Sequence, residues 1–283
     1  MVEITAAEGR DRPAVREIWL ACFPDDTPET AEYFLKRLWA PGRCLVGRLD
    51  GRAVTMAFLL PAELVTASGV LPLRYVFAAA TLPAYQGRGC FSSLLRHAHA
   101  LAAAEGAAAL FLRPAEPGLA AYYERFGYRP YFTAVEEDAA FGGRISPAED
   151  GICPLTGDGQ AAACRDAALE KRPVWVRWPA PVVGLSAYGA DRFGGAGCYA
   201  MGGGEAPGAL FFREWMASPK NEPAMLAAAA ARYPGRRTFR RRRPAEPGEP
   251  AAPFGWLCPL TDRAERLLET AAQDLPYMGL ALD

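Results

Sequence analysis

The sequence predicts a mixed α/β fold, and three observations carry that expectation. Residues 73–80, LRYVFAAA, are apolar at almost every position, as in an interior strand covered on both faces. A glycine-containing turn follows, Gln86-Gly87-Arg88-Gly89-Cys90, and then a helix whose apolar side is Phe91, Leu94, Leu95, Ala98 and Leu101. After Gly106 comes a second apolar strand, 107–112, so strand, helix and strand succeed one another in the order that sets two strands parallel. The composition agrees: 283 residues, 51% hydrophobic and 22% charged, supply one large core or two small ones and exclude disorder as the main state.

The other elements follow in order. Asp11 and Pro13 open a segment in which Val15, Ile18, Trp19 and Cys22 fall at helical spacing. Thr27-Pro28-Glu29 reads as a cap with proline in the first turn, and Ala31, Phe34, Leu35 and Leu38 continue that helix until Pro41-Gly42. Residues 44–49 and 53–60 are strand-like and meet at Asp50-Gly51, a dipeptide that tolerates the positive φ of a two-residue hairpin turn. Beyond 112, Pro117-Gly118 introduce a short helix, 119–126, and 128–135 reads as the strand after it. Gly, Pro and acidic residues without periodicity between 138 and 158 place a boundary there. The expected division is a first domain at 1–140, a linker at 141–158 and a second α/β domain at 159–283. In that second half strands are expected at 182–188, 197–201, 210–216, 238–242, 256–259 and 277–282, and helices at 222–233 and 261–273.

Charge and cysteine usage narrow the classes of function. Thirty-one basic against thirty-two acidic side chains leave a net charge of −1, which suggests neither nucleic acid nor an anionic membrane as partner. No stretch reaches the roughly 18 uncharged apolar residues of a membrane span. The seven cysteines are odd in number and never arranged as CxxC, so no zinc ribbon or other metal site is expected and a cytoplasmic location fits best. A homo-oligomer is compatible with all of this. The one local charge excess is RRTFRRRR at 236–243, read as arginines on an exposed strand in preference to a site for an acidic partner or for cofactor phosphates.

The turn at 86–90 is the feature that carries chemistry. Between a buried strand and a helix it gathers free backbone N–H groups and the positive end of the helix dipole around one point, which suits a phosphate. A Walker A loop would end in Gly-Lys-Ser/Thr, where this chain has Gly89-Cys90-Phe91. A dinucleotide fingerprint would need a third glycine, where Ser92 stands, and an acidic residue roughly 20 positions on, where Leu110-Phe111-Leu112-Arg113 stands. A ligand-free tight turn is the plain alternative.

Gln86-Gly87-Arg88-Gly89-Cys90 resembles the Gln/Arg-x-x-Gly-x-Gly/Ala loop of the GNAT superfamily of N-acetyltransferases, with Phe91 in place of the final small residue. Ala121-Tyr122-Tyr123-Glu124-Arg125-Phe126-Gly127-Tyr128 is similar to a second block of that family, in the right order and spacing. The resemblance covers about residues 1–137, and the two-domain layout is similar to Eis-like acetyltransferases without their third domain. It implies a GNAT-like first domain, a degenerate GNAT-like second one, and acetyl-CoA or another acyl-CoA as donor. By the same resemblance Gln86, Gly87, Arg88, Gly89, Cys90 and Phe91 hold the diphosphate, and Phe77, Ala78, Ala79 and Ala80 lie along the pantetheine arm. Tyr123 takes the place of the acid, a phenol that with a reference pKa of about 10 is protonated at neutral pH; simple packing of its ring is the alternative.

The implied activity is acyl transfer to a small-molecule or peptide amine. A catalytically idle acyl-CoA-binding protein is the second reading, and a peptidyltransferase of the FemX type, which would lack such a loop, the third. No carboxylate stands between Tyr75 and Thr81 to act as base. Glu32, Glu116 and the terminal Asp283 are the candidates, with Tyr33, Phe34 and Trp39 as an aromatic wall for the acceptor. His97 falls off the apolar stripe of its helix and is expected at the surface.

Overall fold

A computed structural model describes residues 2–141, 151–195, 197–205 and 209–281. Along the chain come β1 (Glu3–Ala6), α1 (Arg12–Cys22), α2 (Pro28–Leu38), β2 (Cys44–Leu49), β3 (Arg52–Thr66), β4 (Gly69–Thr81), α3 (Cys90–Ala104), β5 (Ala109–Leu112) and α4 (Ala120–Glu124). Then follow β6 (Arg129–Ala140), β7 (Cys153–Pro154), α5 (Asp158–Leu169), β8 (Trp175–Arg177), α6 (Ala180–Ser186), β9 (Asp191–Gly195) and β10 (Cys198–Glu205). The last are β11 (Ala209–Met216), α7 (Glu222–Arg232), β12 (Thr238–Arg243), β13 (Ala252–Pro259) and α8 (Asp262–Ala271).

These elements form two compact units that do not follow the expected division. The first takes residues 1–62, 71–129 and 256–268; the second takes 63–70, 130–255 and 269–283. Of the expected linker, 142–150 lies outside the described residues, while its remainder contains β7 and the first residue of α5. A sequence read in order cannot see that 256–259, far from the first domain in the chain, pairs antiparallel with β5 through Trp256↔Leu112 to Pro259↔Ala109.

In the first unit the strand order is β1-β2-β3-β4-β5-β13. The β2–β3 hairpin turns at Asp50 and Gly51, both at positive φ (51° and 79°) as a two-residue turn of the right twist requires. The strands at β4 and β5 are parallel, with α3 as their crossover. Because side chains alternate along a strand, Leu59 and Val76 join Leu94, Leu95 and Ala98 of α3 in one core. Their neighbours Phe58 and Phe77 instead meet the ring of Trp19 on α1, at 6.2 and 5.9 Å between centroids. Thr27 caps α2, its Oγ1 accepting from the Thr30 amide at 3.2 Å.

In the second unit the order is β6-β12-β11-β10-β9-β7, with β8 pairing residues 63–65. Its central run, β9, β10, β11, α7, β12, repeats the run β2, β3, β4, α3, β5: antiparallel, antiparallel, then a helical crossover to a parallel strand. The core is Phe193, Phe212, Trp215, Met225 and Phe239.

Three expectations are corrected here. Residues 182–188 are not a strand: Val182 to Ser186 are buried in α6, started by Pro179 and Pro181, and a segment buried on every side shows no period to tell helix from strand. Residues 277–281 are buried chain with one isolated bridge, Trp175↔Tyr277, and no strand. The arginine run is not an exposed strand, since β12 lies between β11 and β6. Its side chains alternate between two glutamates of β6, Arg240 and Arg242 reaching Glu136 at 3.1 and 2.8 Å, Arg241 and Arg243 reaching Glu137 at 2.7 and 2.9 Å. β1, β7, β8, β9 and α5 have no counterpart in the sequence expectations, because each is short or lacks a clear apolar period.

Arg165 on α5 and Glu214 on β11 are both fully buried. The guanidinium donates to both carboxylate oxygens and to the carbonyls of Val176 and Met278, at 2.8 to 3.1 Å. Glu214→Ala would strand that charge, so in denaturant unfolding of the whole chain it is expected to cost about 3–5 kcal/mol, and Arg165→Met/Glu214→Leu less than the single change.

Candidate functional site

Three local features converge where β4 leaves the sheet. The parallel pairing of β4 with β5 runs Leu73↔Ala109, Arg74↔Leu110, Tyr75↔Phe111 and goes no further. Three residues on, Ala78 has φ +48°, a left-handed conformation that costs a non-glycine residue roughly 1–2 kcal/mol and bends the strand. Beyond the bend, the Thr55 hydroxyl, fully buried, donates to the Ala80 carbonyl at 2.8 Å, and Thr81 Oγ1 donates to Thr55 Oγ1 at 2.8 Å. These two threonines hold the far end of β4 to β3 while its other edge is released from β5.

The turn after β4 delivers the third feature. Gly87 and Gly89 have φ +74° and +77°, and a Cβ built on either would meet nothing within 4 Å. Glycine is therefore needed there for backbone conformation and leaves the approach to the main chain open. Gly89 is the N-cap of α3 without a side-chain cap. Residues 86 to 89 form a turn, yet among the described residues the amides of 87 to 92 make no close main-chain hydrogen bond, whereas the next, Ser93, donates to the Gly89 carbonyl at 3.0 Å. The exposed turn and the positive end of a four-turn helix therefore adjoin, an arrangement that suits an anion. Gln86 Nε2 fixes the entry to the turn by donating to the Thr81 carbonyl at 3.2 Å.

Tyr123 lies on α4 with 8% of its surface exposed, its ring edge-on to Phe91 and Tyr122 and packed on Tyr128. Burial, with a smaller contribution from Tyr122, pushes its hydroxyl pKa up to about 12. No hydrogen bond engages that hydroxyl among the described residues. Tyr122 is half-buried, and its hydroxyl bonds Ser92 in the first turn of α3 at 2.9 Å, so it ties α4 to the glycine turn. Phe91, which replaces a small residue of the motif, stacks on Tyr122 at 6.0 Å. The bulk is accommodated by that ring pair.

The remaining candidate residues separate into those placed near this opening and those occupied elsewhere. Ala78 and Ala80 are buried and Ala79 packs toward α3, all three on the released strand. The Phe77 ring belongs to the core with Trp19, Phe34 and Tyr75, so only its main chain is available to a ligand. Cys90 is buried as the first residue of α3, and Arg88 is exposed over the Tyr85 ring. Glu32 is exposed and paired with Arg12. Tyr33 lies under Arg37 at 4.2 Å, and Phe34 stacks on Trp19, so the expected aromatic wall is largely engaged in packing. Glu116 is exposed, and Asp283 lies outside the described residues. His97 is exposed; His99, half-buried beside Tyr128 with Nε2 at 3.2 Å from its hydroxyl, has a pKa lowered by burial. Thr55 and the Ser92–Tyr122 bond are invisible in the sequence, since threonine in a strand and serine at a glycine position carry no signal until the partner is seen. No helix among the described residues is long and apolar enough to cross a membrane.

The first unit thus combines a parting parallel pair, a strand bent at one left-handed residue, and a glycine turn opening a helix. Residues 3–131 match the acetyltransferase (GNAT) domain family, and this part of the chain is a GNAT domain. No curated protein sequence matches the chain. Among solved structures, a GCN5-related N-acetyltransferase from Anabaena variabilis is 14% identical with TM-score 0.73, covering 92% of this chain and 73% of that one. Eis1 from Mycobacterium abscessus is 14% identical with TM-score 0.67, over 95% and 76%. A tandem GNAT protein from the clavulanic acid biosynthesis pathway is 15% identical with TM-score 0.54, over 92% and 99%. At these identities the likeness is one of fold, and it includes the second unit, a degenerate GNAT-like copy whose corresponding turn, 217–221, has no glycine.

If Tyr122 bridges α4 to the turn, Ser92→Ala and Tyr122→Phe should show a coupling of about 0.5–1.5 kcal/mol in a double-mutant cycle of unfolding free energies.

Proposed function

We propose that the first unit transfers an acyl group, acetyl foremost, from acyl-coenzyme A directly to the nitrogen of a small-molecule or peptide amine. The observation that carries this reading is the row of amides from 87 to 92 without a close main-chain partner, beside a strand edge that has lost its own. Gly87 to Phe91 would hold the diphosphate, and the main chain of Phe77, Ala78, Ala79 and Ala80 would pair with the amide-bearing arm as a neighbouring strand would. Small side chains on that stretch leave the arm room. The bound thioester supplies an acyl group already activated toward an amine.

Tyr123 supplies the proton for the departing sulfur. Its burial keeps the phenol protonated across the working range of pH, and its hydroxyl is not committed to another group. The main-chain donors are already oriented by the turn, so binding an anion requires little reorganisation. β4 has no carboxylate between Tyr75 and Thr81, and Glu32 is neutralised by Arg12, so the amine loses its proton to water in this reading. The cytoplasm is the compartment it implies, in keeping with seven free cysteines.

Turnover of acetyl-CoA across a panel of amines, read as thiol release, is expected to be positive for at least one acceptor class. Tyr123→Phe should lower kcat by about 10²- to 10⁴-fold while coenzyme A binding in calorimetry persists. Binding without thiol release on any amine would assign an idle acyl-CoA-binding protein instead. The pH profile gives a separate check. An acid must be protonated to act, so with a pKa of about 12 in the folded chain, kcat should show no alkaline decline up to pH 10; a decline centred near 10 would exclude a buried phenol as the donor.

A further inference from the structure

Most arginines whose contacts are described face a carboxylate, but four of the first unit do not: Arg37, over Tyr33 on α2, and the three nearer the glycine turn, Arg88, Arg96 and Arg125. All three are exposed and have no ion-pair partner among the described residues, in contrast with Arg12, Arg48, Arg52 and Arg74 of the same unit. Each is instead stacked on an aromatic ring. Arg88 lies 5.2 Å from the centre of Tyr85, Arg96 5.5 Å from that of Phe126, and Arg125 4.8 Å from that of Tyr122. The Tyr122 and Phe126 rings adjoin at 5.3 Å, and Tyr122 bonds Ser92, one helical turn from Arg96 on α3. The Arg96 and Arg125 guanidiniums thus stand over neighbouring rings beside the first turn of α3, with Arg88 at the turn itself. Stacking fixes the plane of a guanidinium and leaves its N–H edge free for a planar or tetrahedral oxyanion.

Like charges gathered without counter-ions repel one another, and the arrangement is relieved when an anion arrives. The diphosphate of the donor does not need these side chains, because the amides of 87 to 92 are assigned to it. Coenzyme A carries one further ionised group, the phosphomonoester on the 3′ carbon of its ribose, which is close to a dianion at neutral pH. We propose that Arg96 and Arg125, with Arg88 at the rim, hold this 3′-phosphate, so that the chain selects coenzyme A over its 3′-dephospho form. The inference rests on the acyl-CoA reading above and deepens it from a diphosphate site to recognition of one particular nucleotide end.

Calorimetric titration of the full chain with coenzyme A and with 3′-dephospho-coenzyme A tests both levels separately. The unmodified chain is expected to bind coenzyme A about tenfold or more tightly than the dephospho form, as charge-assisted hydrogen bonds of this kind imply. The preference should shrink as salt is raised. In Arg96→Gln and Arg125→Gln the ratio of the two affinities should fall toward one. Equal binding of the two ligands by the unmodified chain overturns the assignment and leaves the acyl-CoA reading standing; so does a loss in the variants that falls equally on both ligands. Binding of neither ligand removes both.

Discussion

Parallel strands exchange evenly spaced hydrogen bonds, and ending that exchange inside a sheet leaves polar backbone that must find other partners. The first unit is organised around such an ending. Pairing of β4 with β5 stops at Tyr75 and Phe111, Ala78 turns the strand through a left-handed conformation, and Thr55 and Thr81 tether its end to β3. The glycine turn and the first turn of α3 then add amides without a close main-chain partner next to that strand end. Gly87, Arg88 and Gly89 are exposed, so water reaches the amides of the turn and an anion there would replace solvent.

The second unit has the same order of strands and crossover helix but uses its polar groups internally. Glu214 on β11 is enclosed and neutralised by Arg165, and the arginines of β12 are paired residue by residue with Glu136 and Glu137 of β6. Where the first unit has glycines at left-handed positions, the second has Ser218-Pro219-Lys220. The two units thus share an order of elements but differ in the composition of the corresponding turn and in the charge pairs that the second encloses.

Much of the first unit was legible because its signals are local. The cap at Thr27, the Asp50-Gly51 turn, the unbroken apolar run of β4 and the stripe of α3 each declare themselves within a dozen residues. The glycine turn and the Tyr122-Tyr123 block carried the resemblance for the same reason. What stayed hidden depends on partners distant in sequence. Nothing near Ala78 announces a positive φ, because alanine rarely adopts one and the surrounding sheet imposes it. The arginines at 240 to 243 looked like a solvated edge until the glutamates 104 to 106 residues earlier were seen beside them. In α6, burial on all sides erased the periodicity that would have identified a helix.

The strand β13 has a consequence for how the chain reaches its folded state. β5 receives its outer neighbour from residues 256–259, so while the polypeptide is being made its edge stays open until those residues, about 150 positions later, have left the ribosome. Proteins usually complete an amino-terminal body early in synthesis. This one cannot, and a nascent chain with an uncapped interior strand is a substrate for chaperones or for self-association. A stop codon or proteolytic cut before residue 256 would therefore damage the first unit, although every residue of the glycine turn and of Tyr123 would still be present.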